Sequence, residues 1–331
     1  MKANNEMIAV IQSAYGTPEV LRHAVRPIPE HSPTQILVEV KAFPVSQADG
    51  MMRKGTPRFA RLFLGLTKPK AQTPGSGFAG VVKAVGSEVK NFQVGDRVFG
   101  GTTTDFGSNA QYLKINQSDW IFPMPSKMTF EEGASVTDGV LTSFNFLHRV
   151  SKVKPGMEVA IVGASGALGS AAIQLAKAEG ARVTAICSAK NHDFVLSLGA
   201  DQVVDYRQDD FTQNQNQYDI IYDTPGKLSF KKCKPALKDS GVYSSPVLSF
   251  GILAATLTGF LRTKAAKFDA TGLLKADLAQ GMIEEILSLY DNKKLKIEVS
   301  KVFPFKELQL AHQHIDSGKK VANVVCTPQV Y

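Results

Sequence analysis

The sequence predicts an α/β protein that combines a doubly wound parallel sheet with a second, β-rich domain. Three observations lead to this prediction. Residues 158–187 contain two apolar runs separated by a glycine-punctuated turn and a helical stripe. Strand and helix patterns continue to alternate, with short connections, through residues 188–244, and such alternation gives parallel sheets. Residues 7–100 instead contain glycine-punctuated strand patterns, which indicate a small, strongly bent β-barrel.

Residues 158–191 contain the most informative pattern of the chain. Glu158–Val162 and Arg182–Cys187 are apolar on both faces, which is typical of buried parallel strands. A stripe of apolar residues at helical spacing lies between them and comprises Leu168, Ala171, Ala172, Leu175 and Ala176. The pattern therefore predicts a strand, a glycine turn, a helix and a second parallel strand.

The glycine turn itself predicts a dinucleotide-binding site. Gly163 and Gly166 allow a tight turn and a close approach to a pyrophosphate, and Gly169 allows the helix to pack closely on the strand. The N-terminus of the helix offers free N–H groups and the positive end of a dipole. The alternative is a plain tight turn that binds no ligand. The residues of this predicted contact are Gly163, Ser165, Gly166, Ala167, Leu168 and Gly169.

The end of the second strand predicts the choice of cofactor. An acidic residue for the ribose hydroxyls is expected about 20 residues after the turn, yet Cys187–Asn191 has no carboxylate, and the next acid is Asp193. A carboxylate repels a 2′-phosphate, whereas hydroxyl, ammonium and amide groups bind one. Ser188, Lys190 and Asn191 therefore favour NADPH over NADH. The alternative is a solvated lysine at the start of a helix.

Length and composition indicate a globular protein of two domains, with 331 residues, of which 44% are hydrophobic and 21% charged. The net charge of +8 comes from scattered lysines rather than one basic run, so we expect a solvated surface and no nucleic-acid partner. Cys187, Cys233 and Cys326 are far apart and form no CxxC motif. Together with the absence of a secretory pattern at residues 1–12, this predicts a cytoplasmic location.

Four stretches of the chain, taken in order, resemble the medium-chain dehydrogenase/reductase superfamily, and most closely its zinc-independent quinone-oxidoreductase branch. They are residues 15–21, 74–100, 162–169 and 199–206. The resemblance extends over nearly the whole chain. It implies a GroES-like β-barrel domain formed by residues 1–130 and 271–331, and an inserted Rossmann domain formed by residues 131–270.

The resemblance also implies that no metal is bound. Where zinc-containing members of the superfamily carry a cysteine ligand, this chain has Ser46, and where they carry Gly-His-Glu it has Gly75-Ser76-Gly77. Zinc requires thiolate, imidazole or carboxylate ligands, which serine does not replace. The histidines, which we expect to be surface or capping residues rather than ligands, are His23, His31, His148, His192, His312 and His314.

Further cofactor contacts follow from the resemblance. Thr142 corresponds to the residue that meets the nicotinamide ribose, although a helical threonine also bonds to its own backbone. Tyr206 corresponds to a tyrosine beside the 2′-phosphate. Many relatives carry Gly-Lys before the last strand, with the lysine near the cofactor. This chain has Ala322-Asn323 there, so Asn323 is the candidate contact.

Polar residues at the predicted carboxyl ends of later strands complete the cofactor site. Ligands bind at the carboxyl ends of strands in such sheets. The residues expected to line this edge are Asp223, Thr224, Ser244 and Ser245.

Residues 246–262 form an unusually apolar run that is slightly short for a membrane span and is interrupted by Gly, Ser and Thr. We therefore predict no membrane span. In the resembling enzymes this region covers the substrate or contacts a second subunit, so we expect an apolar lid and a homodimer. An ordinary buried helix is the alternative.

The predicted activity is transfer of a hydride from NADPH to quinones or α,β-unsaturated carbonyls. These electrophilic small molecules need no metal to polarise them, only a positioned ring and a donor to the developing oxyanion. Ser46 is the first candidate for that donor and Arg53 the second. Two alternatives remain open. One is an NADP-dependent alcohol dehydrogenase or carbonyl reductase, and the other is a non-catalytic NADPH-binding protein.

Overall fold

The computed structural model describes residues 5–103, 105–249, 251–252 and 264–328. The chain divides into two compact units. We call the first the β-rich unit; it comprises residues 1–138, 275–280 and 299–331. We call the second the parallel-sheet unit; it comprises residues 139–274 and 281–298. The domain boundaries proposed from the sequence, after residues 130 and 270, stay a prediction.

The secondary structure alternates as expected after residue 158 and is mainly β-structure before residue 124. The strands are β1 (Glu6–Gln12), β2 (Leu21–Pro27), β3 (Gln35–Pro44), β4 (Gly77–Val85), β5 (Arg97–Gly101), β6 (Tyr112–Asn116), β7 (Trp120–Pro123), β8 (Glu158–Val162), β9 (Arg182–Cys187), β10 (Gln202–Asp205), β11 (Tyr218–Asp223), β12 (Leu237–Ser244), β13 (Ala265–Lys267), β14 (Val299–Pro304) and β15 (Asn323–Thr327). The α-helices are α1 (Gln47–Lys54), α2 (Arg61–Leu64), α3 (Phe130–Ser135), α4 (Leu141–Phe144), α5 (Ala167–Ala178), α6 (His192–Ser197), α7 (Phe230–Cys233), α8 (Ala276–Asp291) and α9 (Leu308–Asp316).

The parallel-sheet unit is built on one six-stranded sheet with the order β10-β9-β8-β11-β12-β13. Every neighbouring pair in it is parallel. The chain runs outward from β8 to β10 and then returns to β11 on the other side of β8, so the strand order reverses there. This confirms the predicted doubly wound sheet. Because parallel strands end at one edge, the reversal creates a crevice for ligands at the carboxyl ends of β8 and β11.

Burial explains why β8 and α5 form where the sequence predicts them. Val159, Ala160 and Ile161 are all 0% exposed, so β8 is covered on both faces, as central parallel strands are. Along α5, Leu175 and Ala176 are also 0% exposed. The predicted apolar stripe is therefore the face of the helix that packs into the core.

The β-rich unit contains a mixed sheet with the order β14-β15-β3-β4-β5-β7, in which β6 also pairs with β3. Only β14 and β15 pair in parallel within it; the other described pairs are antiparallel. Phe43 and Phe78, from the first part of the chain, share one core with Phe305 and Leu308, from the last part. The C-terminal residues therefore complete the core of this unit.

The spacing of Thr129 and Glu132 in the sequence predicts a capping box at the start of a helix over residues 129–148. The helix begins there but is not regular. The capping box is present, with the Glu132 N–H donating to Thr129 Oγ1 at 3.2 Å and the Thr129 N–H donating to Glu132 Oε2 at 2.8 Å. π-Helical turns at Val136–Val140 and Asn145–Val150 flank α4. Such turns insert an extra residue into the helical register, a feature without a sequence signature.

His312 departs from the sequence expectation, because it is a core residue rather than a surface one. It is 2% exposed and lies on α9 beside Leu308 and Ala311, which are both fully buried. Burial, reinforced by the positive charge of Arg53, lowers the pKa of His312 to about 3. Neither ring nitrogen has a hydrogen-bond partner among the described residues. The imidazole is therefore buried in its neutral form.

The predicted apolar lid cannot be placed, because residues 250 and 253–262 lie outside the described residues. Beyond this run, β13 supplies the sixth strand of the parallel sheet. Among the described residues, no helix has both the length and the apolar character that crossing a bilayer requires.

Candidate functional site

The glycine turn after β8 has the backbone geometry that its predicted role requires. Gly163 has φ +71°, and a Cβ added there would lie 2.7 Å from Thr224 Oγ1 and 2.9 Å from Pro225 Cδ. The left-handed conformation and the crowding both favour glycine. Thr224 is in turn fixed by a hydrogen bond of 2.9 Å from its hydroxyl to the Val162 carbonyl. The turn is thus braced against the loop that follows β11.

Gly169 and Gly166 shape the start of α5. A Cβ at Gly169 would lie 2.4 Å from the Gly163 carbonyl oxygen and 2.5 Å from Ala164 Cα, so only glycine lets the helix approach the turn this closely. Gly166 is the N-cap residue of α5 and supplies no side-chain hydrogen bond. The N-cap residue therefore leaves the first-turn N–H groups, which begin at Ala167, uncapped by its own side chain, as an incoming pyrophosphate requires.

Three of the predicted cofactor residues meet at the carboxyl ends of β8 and β9. The Asn191 amide donates to Ser165 Oγ at 2.9 Å and to Ser188 Oγ at 3.4 Å. Ser165 and Ser188 are both 8% exposed. The amide therefore links the glycine turn to the start of the next helical segment, and the structure brings together side chains that the sequence could only place separately.

A basic and aromatic group lies next to this cluster. The register pairs Asp205 at the end of β10 with Cys187 at the end of β9, so Tyr206 and Lys190 follow the ends of adjacent strands. Both are exposed. The guanidinium of Arg207 lies over the Tyr206 ring, 5.7 Å from its centre. Arg207 is the residue that sequence reasoning missed; its position directly after Tyr206 was the available signal.

The polar residues that end β11 and β12 lie at the expected edge of the sheet, but they are fully buried and do not line an open cleft. Asp223 is 0% exposed, and its carboxylate accepts hydrogen bonds from the Leu228 N–H at 2.7 Å and the Tyr243 hydroxyl at 2.9 Å. Burial outweighs these bonds and raises its pKa. Ser244 is also 0% exposed, and it accepts the Ser151 hydroxyl at 3.1 Å. Asp223 and Ser244 therefore brace the edge of the sheet.

The remaining predicted cofactor residues differ in burial and in the element that carries them. Thr142 is half-buried on α4, and its neighbour Ser143 donates to the Leu168 carbonyl at 2.8 Å, which fixes α4 to the start of α5. Ser245 is 1% exposed. Asn323 begins β15 in the β-rich unit. The cofactor roles of all these residues stay predictions.

The β-rich unit contains a cavity of about 40 Å³ beside α1. Its lining includes four polar side chains and also Gly75, for which φ is +93°. A Cβ on Gly75 would lie 2.1 Å from Asn109 Oδ1 and 2.4 Å from Ser108 Oγ. Neither of these two buried oxygens has a partner among the described residues. The polar lining side chains are Gln12, Tyr15, Asp49 and Arg53.

Ser46, the first candidate donor, is the N-cap residue of α1. Its hydroxyl donates to Asp49 Oδ2 at 2.7 Å and accepts the Asp49 N–H at 3.2 Å, and its own N–H donates to the same carboxylate at 2.8 Å. The hydroxyl proton is therefore engaged within the chain. A contact between this proton and a substrate requires the bond to Asp49 to open.

Arg53, the second candidate donor, is 1% exposed. One nitrogen, Nη2, pairs with Asp316, which also accepts Lys54 Nζ at 2.7 Å. Burial opposes ionisation of Asp316, but the two cations outweigh it and lower its pKa. Arg53 Nε and Nη1 have no partner among the described residues. Because a buried donor without an acceptor is unfavourable, these two N–H groups are available to a water molecule or a ligand oxygen.

Asp49 is a titratable residue of the cavity that the sequence did not single out. It is 6% exposed, and Oδ1 has no partner among the described residues. Burial, reinforced by the negative charge of Asp138, raises the pKa of Asp49 to about 6. Burial likewise raises the pKa of Asp138 and lowers that of Lys320. The carboxyl of Asp49 is thus close to half-protonated in the mildly acidic range.

The described residues contain no group of three or more His, Cys, Asp or Glu side chains that is arranged to hold a metal ion. Of the positions that correspond to zinc ligands in the resembling enzymes, Ser46 forms a hydrogen bond with Asp49. Gly75 is held in a left-handed conformation. All three cysteines are buried free thiols, and burial raises the pKa of each of them.

Comparison with known proteins gives matches in both units. Residues 32–126 match the alcohol dehydrogenase GroES-like domain, and residues 198–326 match the zinc-binding dehydrogenase domain. The first match lies within the β-rich unit and confirms the predicted GroES-like fold class.

Full-length similarity extends to relatives and to solved structures. The chain is 30% identical to a zinc-type alcohol dehydrogenase-like protein of Schizosaccharomyces pombe, over 84% of this chain and 82% of that protein. It is 27% identical to a chloroplastic NADPH-dependent alkenal/one oxidoreductase of Arabidopsis thaliana, over 98% and 80% of the two chains. The structure of the quinone oxidoreductase from Coxiella burnetii superimposes with a TM-score of 0.87 at 28% identity, over 98% and 100% of the chains.

Proposed function

The chain belongs to the medium-chain dehydrogenase/reductase superfamily, in its quinone-oxidoreductase-like branch, and we propose that it passes a hydride from NADPH to quinones or α,β-unsaturated carbonyls without zinc. At the level of the family it is an NADPH-dependent oxidoreductase. The observation that carries the cofactor assignment is the glycine turn at the reversal point of the parallel sheet, with an adjacent edge that is basic rather than acidic.

The residues present fit NADPH. Side chains at Gly163 or Gly169 would collide with neighbouring atoms, so the backbone is left bare where a pyrophosphate approaches. Lys190 and Arg207 are exposed cations at the adjacent strand ends, and they would neutralise a 2′-phosphate. The cluster formed by Ser165, Ser188 and Asn191 supplies neutral donors on the same edge.

When bound, NADPH supplies the hydride. The protein's own residues hold the dinucleotide and stabilise the negative charge that develops on the acceptor oxygen. Arg53 is the better of the two candidate donors for that oxygen, because its Nε–H and Nη1–H groups lack partners among the described residues whereas the Ser46 proton is engaged. Asp49 lines the same cavity as Arg53, and its carboxylate accepts the Ser46 hydroxyl.

The acceptor class is inferred from what the candidate donors can do. Oxidation of an unactivated alcohol requires removal of a hydroxyl proton as the hydride leaves, which superfamily members with zinc achieve through the metal and a proton relay. Hydride addition to a conjugated carbonyl or quinone instead places the negative charge on a remote oxygen, where a hydrogen-bond donor stabilises it, and the resulting anion then takes up its proton from solvent or a weak donor. The names of the alkenal/one oxidoreductase and the quinone oxidoreductase among the similar proteins support this acceptor class.

One of the two matched domains is described as a zinc-binding dehydrogenase, so whether this protein binds zinc needs a direct test. We propose that the purified protein holds no stoichiometric zinc, because Ser46 and Gly75-Ser76-Gly77 occupy the ligand positions. Elemental analysis before and after chelation measures this. One zinc per chain, with activity lost on its removal, would overturn the zinc-independent part of the proposal.

Oxidation of NADPH should be measured over a panel of quinones, enones and aldehydes. The proposal predicts turnover with the first two classes. Turnover with aldehydes alone would instead support a carbonyl reductase, and tight NADPH binding without turnover would support a non-catalytic protein.

We further propose that the protein is a homodimer located in the cytoplasm. All three cysteines are free thiols, which supports a reducing compartment.

A further inference from the structure

One short segment of the β-rich unit exposes large apolar side chains to solvent. Leu62, Phe63 and Leu66 are 65%, 77% and 67% exposed, and they lie within five consecutive positions on α2 and the turn that follows it. We call these three side chains the apolar tip. Single exposed apolar residues are ordinary, but a contiguous group marks an interaction site.

The segment that carries the apolar tip is anchored to the β-rich unit by contacts of Arg61 and Tyr15. The Arg61 guanidinium stacks over the Tyr15 ring, 4.5 Å from its centre, and donates to the Gly55 carbonyl at 3.0 Å. The Tyr15 hydroxyl donates to the Gly65 carbonyl at 2.7 Å. The tip is therefore presented on a braced base and not on an unanchored loop.

Basic residues flank the apolar tip in the sequence. Arg58, Lys68 and Lys70 are exposed, and none of them forms an ion pair with any residue that the structure describes. The sequence contains no Asp or Glu from residue 50 to residue 87. We call these three side chains the basic flank.

We propose that the apolar tip and the basic flank form a docking surface for an anionic lipid bilayer. Peripheral proteins bind bilayers by burying apolar side chains at the headgroup boundary while Lys and Arg meet anionic lipids. Both elements occur here on one short segment. Docking of this kind requires no membrane-spanning helix.

Charge favours a bilayer over a second copy of the chain or an apolar ligand. A symmetric dimer formed through this surface alone would bring the two basic flanks close together, and like charges in proximity disfavour association. A purely apolar ligand would leave the basic flank without a partner. An extended anionic surface satisfies the apolar tip and the basic flank at once.

Docking has a consequence for the cavity described above. Leu64 and Pro69, from the same segment, line that cavity together with Arg53. An acceptor dissolved in the bilayer would therefore reach the protein next to the cavity. This consequence rests on the proposed reductase function, whereas the docking itself does not.

Sedimentation with vesicles tests the proposal on the full-length protein. We expect binding to vesicles of phosphatidylcholine with phosphatidylserine, little binding to phosphatidylcholine alone, and weakening by salt. Neutralising the basic flank (Arg58→Gln, Lys68→Gln and Lys70→Gln together) should weaken binding about 100-fold, or about fivefold per charge. The matched control neutralises exposed lysines elsewhere: Lys90→Gln, Lys127→Gln and Lys231→Gln.

A second pair of variants tests the apolar tip. Leu62→Ser, Phe63→Ser and Leu66→Ser together should weaken vesicle binding by about tenfold or more. The control set, Val25→Ser, Val94→Ser and Leu273→Ser, removes apolar residues of similar exposure elsewhere and should bind like the parent. NADPH affinity and thermal unfolding of each variant verify the fold independently of membrane binding.

Four results would overturn the docking proposal. They are equal sedimentation with neutral and anionic vesicles, no sedimentation with either, equal effects of test and control variants, and a dimer that becomes monomeric in the apolar-tip variant. The last result would make this surface a subunit interface. None of them bears on NADPH oxidation with a water-soluble quinone, so failure of docking and failure of the reductase proposal are distinguishable.

Discussion

The guanidinium carbon of Arg207 lies 5.7 Å from the centre of the Tyr206 ring. Arg207 thus carries its positive charge just after the end of β10, and β10 pairs with β9, the strand that leads to Lys190. Two cations at adjacent strand ends would bind the 2′-phosphate that distinguishes NADPH from NADH. The two cations, Arg207 and Lys190, therefore form the physical basis of the proposed selectivity for NADPH.

Cofactor selectivity should depend on these two side chains. The parent protein should bind NADPH more tightly than NADH by at least about 1.4 kcal/mol, one tenfold step. Arg207→Ala and Lys190→Ala should each weaken NADPH severalfold and leave NADH nearly unchanged, because NADH lacks the phosphate. Fluorescence titration measures both dissociation constants, with Lys231→Ala as the control. Equal affinities of the parent for the two cofactors would refute the assignment.

Gly169 should be indispensable for the packing of α5. A methyl group there meets backbone atoms at 2.4 and 2.5 Å, so Gly169→Ala should destabilise the protein by roughly 1–3 kcal/mol and weaken NADPH binding. Gly281→Ala is the matched control, because that helical position has no atom within 4 Å; it should stabilise slightly. Denaturant unfolding compares the two. A neutral Gly169→Ala variant would show that the turn tolerates the extra group.

The stability of the protein should fall as Asp49 ionises. Its pKa is raised from 3.8 to about 6, so in this range the folded state binds more protons than the unfolded state and loses stability as the pH rises. The stability of Asp49→Asn relative to the parent should therefore increase by roughly 1–3 kcal/mol between about pH 4 and pH 7. Unfolding measured at several pH values shows this. A difference that does not change with pH would contradict this expectation.

Ser46→Ala should lower turnover only modestly, by less than about 10²-fold, since a lost general base costs more. It should also destabilise by about 1 kcal/mol, because Ser46 caps α1. Thr129→Ala removes the other capping box of the β-rich unit and should cause a similar destabilisation without lowering turnover. Steady-state kinetics and denaturant unfolding separate the two effects. Complete loss of turnover in Ser46→Ala would show that the hydroxyl is essential.

The parts of the fold that the sequence predicts well are those with local signals. Gly163 and Gly169 were identified because a tight turn and a close helix require glycine there, and Thr129 because its spacing to Glu132 defines a capping box. The doubly wound parallel sheet follows from the alternation of strands and helices with short connections.

The parts that escaped prediction depend on contacts distant in sequence. His312 was expected at the surface, yet it is buried because α9 packs into a core formed largely by the first part of the chain. Asp49 and Arg53 are candidate site residues because they line a cavity whose other lining residues lie between Gln12 and Phe106 and are distant in sequence. Arg207 carries no periodic signal, and only its stacking on Tyr206 distinguishes it from other exposed arginines.

The most direct test of the account compares the two reaction directions in one preparation. Reduction of phenanthrenequinone or an enone by NADPH is measured beside oxidation of ethanol or benzyl alcohol by NADP⁺. We expect measurable turnover of the conjugated acceptor and negligible oxidation of either alcohol, because a positioned acid or base typically contributes about 10²–10⁴-fold and its absence slows alcohol oxidation far more than quinone reduction. Oxidation of an alcohol as efficient as reduction of the quinone would contradict it.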